Sequence, residues 1–195
     1  VGIMKMNEGL DTGDILLEEK IKISNNDNLN TLSEKLSILS AKLFLNATSI
    51  IEENINKNNN SQLTKQNTLG REITYARMIE KSDFKVDWSN EAIKISQKTK
   101  ALYPRANTTF RGKNLKILKI KVLSIDLIKN EKYLFMSNNS RPGIILAVIE
   151  NEGIIISTKT DPIILLEAKL EGKNISSKNQ LIQQLKPSVG EYLSD

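Results

Sequence analysis

No cysteine and no histidine occur among the 195 residues. Without cysteine there is no disulfide framework, no thiol nucleophile and no Cys-ligated zinc. Without histidine, Ser-His and Cys-His catalysis within the chain is excluded, and the commonest metal ligand is gone. Long apolar runs are missing too. The longest, Ile144 to Ile149, falls far short of the roughly 20 residues that span a bilayer. The N-terminal stretch lacks the basic-then-apolar pattern of a secretory leader, so the expected compartment is the cytoplasm and no membrane partner is expected. Neither G-x-x-x-x-G-K-[ST] nor G-x-G-x-x-G occurs, which removes the common phosphate loops. The carboxylates are scattered without metal-ligand spacing, and no metal is expected. The first residue is Val1, as in a processed chain or a piece of a longer one.

What remains is a globular balance of 39% hydrophobic and 26% charged residues. Ile, Lys and Asn make up 70 of the 195 residues, a bias that A/T-rich codons produce. A single Lys or Asn therefore carries little functional weight. The net charge of +5 is unevenly placed. Residues 1–80 hold nine basic and eleven acidic side chains, and residues 81–195 hold nineteen and twelve. The basic character belongs to the second part.

Along the chain, residues 2–6 end a strand, 7–14 form a tight Asn/Gly/Asp loop, and 15–23 form a second strand. Asn30 or Thr31, with Glu34 as a capping-box partner, is expected to open a helix over about 31–55. Its stripe of Leu32, Leu36, Leu39, Leu43, Ala47, Ile50 and Ile51 needs a covering layer. The polar run 56–68 reads as a linker. Domains are expected at 1–57 and 81–195, joined by 58–80. In the second, Ser89 or Asn90 is expected to cap a helix that Pro104 ends, with Trp88 as a core anchor and Asp87 as a turn residue. Residues 107–111 and 115–123 flank Gly112-Lys113-Asn114 as a hairpin. The adjacent apolar pair Ile117 and Leu118 breaks the alternation and predicts a bulge. Residues 144–149 and 154–158 form a second hairpin, 162–170 another strand, and Ser176 or Ser177 opens a short final helix. At least five short strands predict a small barrel or sandwich.

Two features point to chemistry. In Gly9-Leu10-Asp11-Thr12-Gly13-Asp14, the glycines are read either as permitting unusual backbone angles or as opening the backbone to a ligand beside the Asp11 carboxylate. Asp14 reads as a local turn acceptor. The stretch from Ala92 to Ile125 holds nine basic residues and no acid. They are Lys94, Lys98, Lys100, Arg105, Arg111, Lys113, Lys116, Lys119 and Lys121. Such a face is either a solvated strand surface or a nucleic-acid surface, and phosphate contact by shape suits it better than base stacking, since aromatics are sparse.

Several segments resemble the methionyl-tRNA formyltransferases. IMKMNEGLDTGDIL (residues 3–16) is similar to the loop that follows that family's catalytic histidine region. Tyr75-Ala76, Val86-Asp87-Trp88-Ser89, Pro104, Thr108-Thr109-Phe110, Gly112-Lys113, Leu115-Lys116-Ile117 and Pro142-Gly143 are similar in order and spacing to its C-terminal domain. The resemblance implies an α/β remnant of a Rossmann-like formyltransferase domain, followed by a small OB-fold-like β-barrel with a helix at each end. It implies transfer of formyl from 10-formyltetrahydrofolate to the α-amine of methionine on initiator tRNA, by a monomeric full-length enzyme. In that family an Asn and a His stabilise the oxyanion and move protons, and an Asp tunes the His and a water. By motif position that Asp is Asp11, with Glu8, Gly9 and Leu10 lining the folate side through their backbone. Arg105, Arg111, Lys113, Lys116, Lys119 and Lys121 become tRNA-contact candidates. The Asn, the His and the Ser-Leu-Leu-Pro folate motif have no counterpart in these residues, Asn7 stands where Asp is common, and Arg105-Ala106 replaces Trp-Pro. The expectation is a fragment that is inactive alone. The competing expectations are another folate-dependent formyltransferase or hydrolase, or a stand-alone RNA-binding barrel.

Overall fold

Asn28 opens the first long element. Its Oδ1 accepts the Thr31 N–H at 3.1 Å, and its own N–H is donated to Thr31 Oγ1 at 3.0 Å. This reciprocal cap starts helix α1 (Leu29–Lys57). The cap lies upstream of Asn30 and Thr31, because Thr31 serves as the inner partner of the box rather than as its first residue. The largely buried Asp27 carboxylate accepts hydrogen bonds from Lys35 Nζ at 2.6 Å, the Ser24 N–H at 2.8 Å and Thr31 Oγ1 at 3.2 Å. The Lys35 bond, then the Ser24 bond, hold it below the usual carboxylate range.

The structure, a computed structural model, describes all residues except 58–62, 71, 73, 124–135, 137, 138 and 195. Part of the expected linker, Arg71 and the Ile125 end of the basic stretch lie outside the described residues. The chain divides into two units, Val1–Arg77 and Met78–Asp195.

In the first unit, strands β1 (Gly2–Met4) and β2 (Ile15–Glu18) pair antiparallel, with Gly2 opposite Glu18. The predicted strand over 15–23 stops at Glu18, since no partner strand runs beside the rest among the described residues. Thr64 bridges back to Ile15 through two backbone bonds of 2.8 Å. α1 buries Leu39, Leu43 and Ala47, whereas Ile38, Phe44, Leu45, Ile51 and Ile55 stay 46–70% exposed.

The second unit is a curled antiparallel sheet with α-helices at Ala92–Ala101 and Lys178–Leu185 and a 3-10 turn at Lys81–Phe84. Helix α2 (Ala92–Ala101) starts after Glu91, which does not cap it with its side chain. Instead Thr160 Oγ1 accepts the Ala92 N–H at 3.0 Å. Ser89 and Asn90 belong to the preceding turn, where both donate to the Asp87 carboxylate. The strands are β3 (Asn107–Phe110), β4 (Lys113–Val122), β5 (Ile145–Ile149), β6 (Gly153–Ile156), β7 (Ile163–Leu170), β8 (Ile175–Ser177) and β9 (Leu193–Ser194). Helix α3 (Lys178–Leu185) lies between β8 and β9. Arg111 and Gly112 turn the first hairpin with φ of +48° and +73°, the paired left-handed angles a two-residue turn of this hand needs. β4 therefore begins earlier than predicted.

The sheet runs β5-β6-β7-β4-β3-β9, with β8 on β7. Its two ends are joined: the Ile145 N–H donates to Glu191 O, the Gly190 N–H to Ile145 O and the Leu193 N–H to Gly143 O, at 2.8–2.9 Å. Inside the curl lie Val86, Trp88, Leu115, Ile117, Ile154, Ile163, Leu165, Leu181 and Leu193. Trp88 Nε1 donates to Thr108 Oγ1 at 3.1 Å, so the buried indole keeps a polar partner. A smaller cluster of Leu146, Ala147, Ile155 and Ile164 forms a second apolar group. The β4–β7 register breaks between Ile117 and Lys119, leaving Leu118 without a partner, which is the predicted bulge. No helix among the described residues is long and apolar enough to cross a membrane.

Candidate functional site

The loop from Lys5 to Asp14 is closed at its base by the Lys5 N–H, which donates to Asp14 O at 2.9 Å. Asp14 thus works through its carbonyl, not through its carboxylate as the turn reading expects. Inside the loop, Asn7 Oδ1 accepts the Gly9 N–H at 3.1 Å and the Thr12 hydroxyl at 2.7 Å. A Cβ on Gly9 would collide with Thr12 Oγ1, and one on Gly13 with Lys5 O. The glycines are therefore required by packing inside the loop. They do not supply the unusual angle, since neither has a φ in the left-handed region. The left-handed residue is Asp11 itself, with φ of +54°. Asp tolerates that region better than most residues with a side chain.

Asp11 is exposed at the tip, and its carboxylate makes no hydrogen bond among the described residues. Glu8 and Leu10 flank it and are exposed, Leu10 to 91%. From outside the loop comes Gln66, in the short 3-10 turn Gln66–Thr68. Its Nε2 donates to Asp11 O at 3.0 Å and to Gly13 O at 2.7 Å. Gln66 lies in the expected linker, where no local signal in the sequence marks it. Only the spatial pairing of Ile15 with Thr64 brings it here.

The structure sorts the nine basic residues of the Ala92–Ile125 stretch. Lys94 pairs with Glu91 at 3.1 Å, and Lys98 donates to Lys85 O at 2.6 Å. Lys100 is engaged as well. Arg105 stacks over Phe84, 5.5 Å from the ring centre. Arg111 is engaged internally: Nε and Nη2 reach the two Glu191 oxygens at 2.8 Å, while Nη2 and Nη1 donate to Lys186 O and Leu185 O at 3.0 and 3.3 Å. The guanidinium also lies 4.8 Å from the Phe110 ring centre. Glu191 is held below the usual carboxylate range by the Ser188 N–H and then by Arg111.

Lys113, Lys116, Lys119 and Lys121 remain, all exposed on β4 and without an ion pair among the described residues. The extra residue at Leu118 decides their arrangement. With unbroken alternation Lys116 and Lys119 would face opposite sides. The bulge turns Lys116, Lys119 and Lys121 to one face, and Lys113 stands at the hairpin end. From Lys113 to Lys121 the row extends on the order of 25 Å. Across it on β7, Lys116 meets Lys169 and Lys119 meets Glu167. Lys169 is a cation the sequence reading leaves out, because it lies 53 positions beyond Lys116. Like charges directly opposite in a sheet are unfavourable. A phosphate between them removes that repulsion.

Residues 78–186 match the family described as formyl transferase, C-terminal domain. Over its whole length the chain is 88% identical to a methionyl-tRNA formyltransferase of Prochlorococcus marinus strain MIT 9312, of which it covers 60%. A methionyl-tRNA formyltransferase of Synechococcus sp. strain CC9902 is 39% identical over 98% of the chain and 59% of its own length. The chain thus spans about 60% of the length of these curated relatives. Among solved structures, a multiply substituted variant of HypX from Aquifex aeolicus aligns with a TM-score of 0.63 at 16% identity, over 96% of the chain and 31% of its own. HypX from the same organism in complex with tetrahydrofolic acid aligns at 0.59 and 16%, over 96% and 30%. At this identity the likeness is one of fold.

Proposed function

Since the chain belongs to the formyl transferase C-terminal domain family, we propose that it is the C-terminal part of a methionyl-tRNA formyltransferase acting in the cytoplasm. The observation that carries this is the 88% identity along all 195 residues to a methionyl-tRNA formyltransferase. On this reading Val1–Lys57 ends a Rossmann-like catalytic domain, 58–80 leads on from it with Thr64 and Gln66 tied back to the first unit, and 81–195 is an OB-like domain that holds the initiator tRNA.

The donor is 10-formyltetrahydrofolate, a co-substrate, and a folate-bound structure of similar fold supports that choice. The neutral methionine amine attacks the formyl carbon; the new C–N bond forms, the bond to the folate N10 breaks, and the amine proton passes to N10. Asp11 is the carboxylate that orients and charges the proton-moving group, and the backbone of Glu8, Gly9 and Leu10 lines the folate side. The row of lysines on β4, with Lys169, takes tRNA phosphates. Arg105 and Arg111 act from the edge of that surface, and the engaged fork of Arg111 gives it the smaller part. The full-length enzyme works as a monomer.

The test is a chimera in which this chain replaces the matching residues of the Prochlorococcus marinus strain MIT 9312 relative. It is expected to formylate Met-tRNA from 10-formyltetrahydrofolate, and Asp11→Asn is expected to lower kcat about 100-fold or more. The 195-residue polypeptide alone, lacking histidine, is expected to give no product. A folded chimera that only hydrolyses the donor, or formylates a nucleotide sugar instead, overturns the tRNA assignment.

A further inference from the structure

The polar run before the second unit contains a residue, Gln66, whose side chain bonds to the Asp11 loop. Three observations meet there. Asp11 adopts a left-handed φ of +54°, a region that disfavours residues with a side chain, Asp less than most. The amide Nε2 of Gln66 donates to two carbonyls of that loop, Asp11 O at 3.0 Å and Gly13 O at 2.7 Å, with Met4 Sδ a longer contact at 3.9 Å. The segment carrying Gln66 is itself fixed to β2, where Ile15 and Thr64 exchange backbone bonds of 2.8 Å. Within the loop, Asn7 secures only Gly9 and Thr12. The carbonyl of the residue bearing the exposed carboxylate is held from outside.

We infer that Gln66 is a positioning residue for the formyl transfer proposed above, setting the direction of the Asp11 carboxylate by donating to the two carbonyls that flank Thr12. The inference rests on that functional reading. The chemistry requires a donor at this position. A carboxylate of the same shape offers only acceptors, which face two carbonyl oxygens and repel them. The group acts through Asp11 and touches no substrate.

The experiment compares Gln66→Glu, Gln66→Ala and Thr68→Ala in the active chimera. Thr68 belongs to the same turn, and among the described residues its hydroxyl bonds to Lys65 O alone, at 2.7 Å. Gln66→Glu and Gln66→Ala are expected to lower kcat at least about tenfold, with KM for Met-tRNA changed less than about threefold; Thr68→Ala is expected to stay within about twofold. In the 195-residue chain, amide exchange of the segment 7–14 is expected to accelerate about tenfold in Gln66→Glu while α1 keeps its helicity. Undiminished kcat in Gln66→Glu overturns the inference, as does unchanged exchange, or an equal loss in Thr68→Ala. An inactive parent chimera overturns the functional reading instead, and is recognised before any variant is compared.

Discussion

Arg111 shows what a residue's charge conceals. In sequence it is one of nine cations in an acid-free stretch; in the fold it ties the hairpin tip to Glu191, 80 residues away, and to the last carbonyls of α3. No local pattern announces that partner. Arg111→Ala is expected to lower the stability of the second unit by about 2 kcal/mol, read by calorimetry, because charge-assisted bonds to a carboxylate and two carbonyls vanish together. Glu191→Gln is expected to cost about 1 kcal/mol, since the Ser188 bond can persist. Acid titration acts in the same direction. Glu191 is lowered by Ser188 and Arg111, Asp87 by the Ser89 hydroxyl and N–H, and Asp27 by Lys35. Each binds protons more weakly when folded than when unfolded. Their contribution is therefore complete at neutral pH and is lost as pH falls below about 4. A melting temperature that stays flat down to that range and then drops is the expected profile.

At the scale of elements, what was legible followed periodicity and local chemistry. The helices, the first hairpin (expected to turn at Gly112-Lys113-Asn114, turning instead at Arg111-Gly112), the strand Ile163–Leu170 and the bulge beside Leu118 follow from the order of apolar residues and turn formers. β8 and β9 do not. With three and two residues they carry no period, and they exist because β7 and β3 offer free edges. Helix starts also moved: Asn28 and Thr160 take the roles expected of neighbours, the latter from 68 positions away. Of the site, the Asp11 loop and the β4 lysines were visible as motif and charge. Gln66 and Lys169 were not, since both join through pairing across distant segments. The bulge has a measurable outcome on this scale. Replacing Lys116, Lys119 and Lys121 with Gln is expected to weaken tRNA binding and to reduce the slope of log K against log salt by roughly two to three. Replacing Lys94 and Lys98, engaged by Glu91 and Lys85, is expected to change that slope by less than about one.

For the molecule as a whole, the two units differ in how much apolar surface they bury. The second encloses a continuous core from Val86 to Leu193. The first buries only Leu39, Leu43 and Ala47 of the large apolar stripe of α1. A unit with so little core resists opening weakly. Amides of α1 are therefore expected to exchange at a lower opening free energy than those of β4 and β7; equal protection in both would show that α1 is held by more than the contacts within its own unit. The sole tryptophan extends this contrast to a different kind of signal. Trp88 is 1% exposed and belongs to the second unit, whereas α1, with 29 residues, is the longest helix among the described residues and dominates their helical dichroism. Its fluorescence thus reports on the core of the second unit. During a single denaturant titration the ellipticity will fall first and the indole emission will shift to the red only later, so that one chain carries two separate optical clocks for its two halves.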